Sequence, residues 1–250
     1  MYTEAMNQVG SIPASYLNRE LGLNSWREFF TNRAKAESIF NSTRHSNLFQ
    51  TTVSASVIGN KWLSFSELMP KILCLLASKV NSNQARMRIL KIAWEELGEG
   101  HSEHIHPETF KDCLQLAQVE ITEKHSSALD HLEEIVGTKI TNTTQVFGFG
   151  LGLEIIAVEN IQILFDGLNY TDSRAEQLKD TDFFKIHFKN EDGHINHCVE
   201  SFINYCDSGK SRMDFIVGFD YAIEFWHQFW AEVTEDMEDF NIQRGKQWLN

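Results

Sequence analysis

His187-Phe188-Lys189-Asn190-Glu191-Asp192-Gly193-His194 sets two imidazoles and a carboxylate at spacings of four and seven, in a segment that otherwise reads as helix. At ~100° per residue, His187, Glu191 and His194 fall within about 60° of arc over roughly two turns. They share one face. Such a stripe is costly to bury unless a cation sits on it, and imidazole nitrogen with carboxylate oxygen is the donor mix that suits iron or manganese. The rest of the chain agrees with the helical reading. It has only three prolines, Pro13, Pro70 and Pro107, and no Val/Ile/Thr alternation long enough for a sheet. The fold class is all-α.

Working outward, Trp26, Phe29, Phe30, Ala34 and Phe40 give Ser25 to Phe40 a helical period, and Thr43 to Ile58 continues it after Asn41-Ser42. Ser64-Phe65-Ser66-Glu67 has the form of a capping box and predicts a new helix over Phe65 to Val80. Further helices are expected at Gln84 to Leu97, Pro107 to Gln118, Ser126 to Val136, Thr143 to Gly167, Asp180 to Cys206 and Arg212 to Asp239. Seven or so long helices with short links make a single-domain bundle, with its core over about residues 25–235 and residues 1–20 and 240–250 peripheral.

Composition excludes several classes of partner. The 250 residues are 42% hydrophobic and 23% charged with a net charge of −13, so a phosphate backbone would be repelled over most of the surface. Neither nucleic acid nor an anionic membrane is expected. Ile140 to Leu153 lacks a formal charge but is too short to span a bilayer. Met1 to Gln8 holds an acidic residue and no apolar h-region, which points to a cytoplasmic protein. Cys74, Cys113, Cys198 and Cys206 show no Cys-x-x-Cys spacing and read as small buried hydrophobes.

Two other segments carry candidate ligands. Glu154 interrupts the apolar run from Val146 to Val158, so it points into the bundle, paired with Arg or His or with a cation. Glu159 falls on another face. Glu95 to His106 holds four acids and three histidines in twelve residues. On a straight helix Glu96 and His106 would be ~15 Å apart, too far to share one metal centre. Gly98 and Gly100 break the helix and can fold that distance down. From spacing alone, His101, His104 and His106 are all candidates, and a solvated acidic loop is the bland alternative.

Glu96-Leu97-Gly98-Glu99-Gly100 with a following histidine and Thr109-Phe110, a lone Glu154 in a Gly-rich helix, and Phe183-Phe184-Lys185-Ile186-His187-x-x-x-Glu191-x-x-His194 together resemble the haem-oxygenase-like diiron oxidase and oxygenase family, the iron-containing redox enzymes. The resemblance runs from about Phe65 to Trp230 and takes in Leu68-Met69-Pro70 and Phe225-Trp226. It implies a haem-oxygenase-like bundle whose metal-binding and catalytic residues are Glu96, His106, Glu154, His187, Glu191 and His194. Glu191 stands where the family usually has Asp, and Pro107 restricts the backbone of His106. Three carboxylates and three imidazoles would be offset by two ferrous ions, +4 against −3. Manganese is the alternative metal.

Asp192 and His197 are candidates to support the ligands. The resemblance implies O2 as co-substrate, a small organic substrate undergoing N-oxygenation, desaturation, hydroxylation or C–C cleavage, an electron donor, and a homodimer. Phe147, Phe149, Phe184, Phe215, Phe219 and Phe225 suggest an apolar pocket wall or plain core. Gly148, Gly150, Gly152 and Ala157 make room for a substrate or let helices approach. Related CADD-like, thiaminase-II-like and pyrroloquinoline-quinone-synthase-like proteins supply the alternatives: a metal-free enzyme, to which Cys198 would belong, or a non-catalytic interaction module.

Overall fold

The computed structural model describes residues 22–37, 52–122, 125–169 and 175–247. Among them are ten α-helices and no strand: α1 (Leu23–Glu37), α2 (Thr52–Ser78), α3 (Asn83–Glu96), α4 (His106–Leu116), α5 (Ser127–Glu134), α6 (Thr143–Glu154), α7 (Ala157–Leu168), α8 (Ala175–Lys179), α9 (Asp182–Tyr205) and α10 (Gly209–Gln247). The all-helical reading holds, and the nine individually expected ranges become ten helices: two share α2, one splits into α6 and α7, and the short α8 is added. The start of the helix expected from Thr43 lies outside the described residues.

Local chemistry sets several boundaries. Ser82 caps α3 by accepting from the Ala85 N–H at 3.4 Å, and Asn142 caps α6 by accepting from the Gln145 N–H at 3.0 Å. The Ser64 to Glu67 capping box opens nothing, which corrects the sequence reading. Helix α2 runs straight through it, and the Ser64 hydroxyl bonds back to the Asn60 carbonyl at 3.1 Å. No breaker separates Ile58 from Phe65, and Gly59 is needed for packing: a Cβ there would lie 2.6 Å from Leu114.

The expected helix Thr143 to Gly167 is also corrected. It breaks immediately after Glu154, where Ile156 leaves helical geometry at φ −120° and ψ 19°. Taken as one stretch, Thr143–Leu168 is long and apolar enough to cross a membrane, and 61% of its most apolar window is buried in the protein. Its apolar surface is used chiefly against α10, the most extensive helix pairing in the fold. The seam is built from small residues. A Cβ on Gly148 would sit 1.8 Å from the Phe215 carbonyl oxygen, and one on Gly218 would sit 2.0 Å from the Gln145 carbonyl oxygen.

The buried apolar side chains form one core in which Phe30, Phe202, Phe215 and Phe219 stack edge-on or tilted. Cys113 and Cys206 are buried as expected, and Cys74 is exposed, contrary to expectation. Its position on α2 falls on the outward face beside exposed Leu75.

Candidate functional site

Helix α3 ends at Glu96, and the chain then turns through three successive left-handed residues: Gly98 at φ 72°, Glu99 at φ 53° and Gly100 at φ 91°. Glycine suits two of these positions because L side chains rarely adopt such backbone angles. A Cβ on Gly98 would also meet the backbone of His104 and Ile105 at 2.7 Å. The reversal returns the first residue of α4 to the last residue of α3. His106 opens α4, with Pro107 in the first turn where a missing N–H costs nothing. As a result His106 Nδ1 lies 3.0 Å from Glu96 Oε2, both side chains being largely buried.

His187, on α9, faces this pair. Its ring centroid is 5.1 Å from that of His106 and 4.2 Å from that of Phe183. Its Nδ1 lies 2.7 Å from the Phe183 carbonyl oxygen, and a carbonyl only accepts, so Nδ1 carries the proton. Burial, then the charge of His106, lowers the pKa of His187; the Phe183 bond and the carboxylates Glu96 and Glu154 oppose this without reversing it. The ring is therefore neutral at ordinary pH, with a bare Nε2 lone pair, the form in which histidine binds metals.

Glu96, His106, Glu154 and His187 line one cavity of 410 Å³, together with Glu95, Glu99, His101 and His104. His101 and His104 are exposed, their rings 5.8 Å apart, and they stand away from the close contact that Glu96 makes with His106. Glu159 lies outside the cavity and pairs with Lys35 at 3.9 Å. The aromatic lining is Trp62, Phe65, Phe183 and Trp226. None of the six phenylalanines considered as a wall is among the lining residues; they are core. Of the four small positions, Ala157 lines the cavity and Gly148 and Gly152 serve helix approach. The sequence reading missed Trp62, Trp226 and Asn160, because their inward direction depends on how α2, α7 and α10 cross.

Helix α9 carries Glu191 and His194, but the side chains of residues 189–194 and of His197, Asp192 included, lie outside the described residues. Among the described residues no group of three His, Cys, Asp or Glu side chains converges closely enough to hold a metal ion. The donor chemistry nevertheless fits a cation. Among the described residues four carboxylates line the cavity, no lysine or arginine does, and the imidazoles of His106 and His187 are apposed. Lys91 pairs with Glu95 at 3.2 Å. Burial, then Glu154, raises the pKa of the Cys198 thiol, which keeps it protonated and a poor nucleophile.

The fold and cavity together define a helical bundle that gathers acidic and imidazole side chains at one internal site. Residues 63–227 match the model of the iron-containing redox enzymes, and the chain belongs to that family. No curated protein matches it. Two crystal structures of a CADD-like protein of unknown function from Nostoc punctiforme share the fold. One superposes with a TM-score of 0.71 at 16% identity, covering 86% of this chain and 98% of the other. The second gives a TM-score of 0.61 at 14% identity, covering 85% and 96%.

Proposed function

We propose that the protein is an oxidoreductase that binds two ferrous ions and uses dioxygen to oxidise a small organic molecule held in the cavity. The observation that carries this reading is the meeting of Glu96 and His106 from α3 and α4 with His187 from α9, in a cavity that Glu154 from α6 also lines. Glu191 and His194, on the same helix as His187, complete the proposed set. Two bound ferrous ions would supply two of the four electrons for dioxygen reduction, the organic substrate would supply the other two, and an electron donor would restore the ferrous state.

The chain's own residues prepare the site. The Phe183 carbonyl fixes the tautomer and tilt of His187 so that Nε2 is the free donor. Glu96 Oε2 sits 3.0 Å from the Nδ1 edge of His106. Trp62, Phe65, Met69 and Ile92 give the cavity an apolar wall that excludes water from the substrate. The burial and Glu154 that keep the Cys198 thiol protonated argue against a thiolate-based, metal-free reaction.

The test is an anaerobic ferrous titration followed by mixing with O2 while visible absorbance is recorded. Near two irons per chain and a transient visible band are expected. Both should be lost in Glu191→Ala, with the far-UV helix signal retained. Absence of stoichiometric iron uptake would refute the proposal.

A further inference from the structure

Two buried hydrogen-bond donors of cavity-lining residues have no acceptor among the described residues. Asn160 Nδ2, on α7, and Trp226 Nε1, on α10, are without partners, their residues being 0% and 4% exposed, and both residues line the cavity. The orientation of the Asn160 amide is not open to exchange. Trp230 Nε1, which can only donate, gives its hydrogen to Asn160 Oδ1 at 2.9 Å, so the amide NH2 is left facing away from that bond with two hydrogens to place. Trp226 is held edge and face by its neighbours. Its ring stacks on Trp62 at 5.9 Å and 19°, and lies 5.1 Å from Phe65. A buried donor without an acceptor is costly, and two from residues lining one cavity call for an oxygen that the described residues do not provide.

We propose that Asn160 and Trp226 form a subsite that binds an uncharged, carbonyl-type oxygen of the substrate, whose apolar body lies against Trp62, Phe65 and Met69. It rests on the oxidoreductase reading only in naming the ligand a substrate. The oxygen is uncharged because both donors are neutral and, among the described residues, no lysine or arginine lines the cavity whereas Glu95, Glu96, Glu99 and Glu154 do. In the metal-free protein a carboxylate would enter this cavity against like charge. Anchoring one oxygen at this wall orients the rest of the molecule within the cavity that His106, His187 and Glu154 line.

The experiment compares acetophenone with α-methylstyrene, which replaces the C=O by C=CH2 in the same shape, and with benzoate. Binding to the full-length protein is followed by equilibrium dialysis, metal-free and loaded anaerobically with ferrous iron. The indole N–H resonances are followed in the metal-free form, Trp226 being identified by its disappearance in Trp226→Phe. Acetophenone should bind roughly tenfold more tightly than α-methylstyrene, as expected for one to two net hydrogen bonds, and more tightly than benzoate. It alone of the two isosteres should move the Trp226 indole proton downfield. Trp226→Phe and Asn160→Leu should each weaken the preference; Trp226→Phe keeps the test valid should the leucine variant misfold.

Equal binding of the two isosteres, or a preference unchanged in both variants, would overturn the subsite. Tighter binding of benzoate to the metal-free protein would overturn the uncharged assignment. Iron uptake without the ketone preference refutes the subsite alone, whereas the preference without iron uptake refutes the diiron reading alone.

Discussion

A methyl group added at residue 148 would lie 1.8 Å from the Phe215 carbonyl oxygen, and backbone cannot step aside as a flexible side chain can. Gly148→Ala should therefore lower the urea midpoint by the equivalent of at least ~1–3 kcal/mol. Gly150→Ala, on the same helix with nothing within 4 Å, should raise it by ~0.5–1 kcal/mol. Glu232 sets a second residue-scale test. It pairs with the buried Lys61, which also lies 3.2 Å from Asp236, and accepts from the Ala128 N–H at 2.7 Å and the Ser127 hydroxyl at 2.9 Å. Burial raises the carboxyl pKa, but these partners together outweigh it and hold it below the usual value. The unfolded chain thus takes up this proton first as pH falls. The stabilisation is present above the unfolded carboxyl range and is lost as pH drops through the folded value. Glu232→Gln should destabilise at neutral pH by about 3 kcal/mol or somewhat less, since Asp236 still faces Lys61. It should also flatten the loss of stability between pH ~5 and the folded pKa, read from urea midpoints across pH. Glu154 and His187 were legible as candidates because a charge in an apolar run, or a histidine repeated at helical spacing, stands out locally. Asn160 and Trp226 were not legible, because an ordinary polar or aromatic residue acquires meaning only from its unmet partner.

The left-handed corner between α3 and α4 was legible as a break, since two glycines and a proline crowd ten residues. That it would bring His106, rather than His101 or His104, against Glu96 did not follow from spacing, because the choice depends on three consecutive dihedral values; only the family resemblance singled out His106. Gly98→Ala tests the corner. It combines a left-handed backbone angle, costing roughly 1–2 kcal/mol for a non-glycine residue, with a clash against the Ile105 nitrogen at 2.7 Å. It should weaken ferrous binding far more than a surface glycine-to-alanine change, when both are followed by anaerobic titration. The break after Glu154 had no such signal: Ile155 and Ile156 are neither glycine nor proline, and the helix ends there through tertiary packing. Conversely, the capping box before Phe65 had the right residues but no free helix end to cap.

For the molecule as a whole, helical class and family were both readable, since periodicity and the Glu96, Glu154 and His187 motifs need no tertiary knowledge. Helix count was less so, because breaks are decided by neighbours. If the cavity takes up iron as proposed, ligand linkage predicts a stability gain of about 2.7 kcal/mol at a hundredfold excess over the dissociation constant. That corresponds to roughly 5–11 °C in melting temperature for a chain of this size. An anaerobic thermal melt with and without ferrous ion should show it, and His187→Ala should abolish it. The glycine seam between α6 and α10 also orders events at the ribosome. The apolar face of Val146 to Leu153 emerges more than fifty residues before α10 begins at Gly209. At ~5–20 residues per second it waits roughly 5–20 s for α10 to be finished, long enough to engage a trigger-factor-type holdase. Chains stalled within α10 should be the ones that co-sediment with such chaperones.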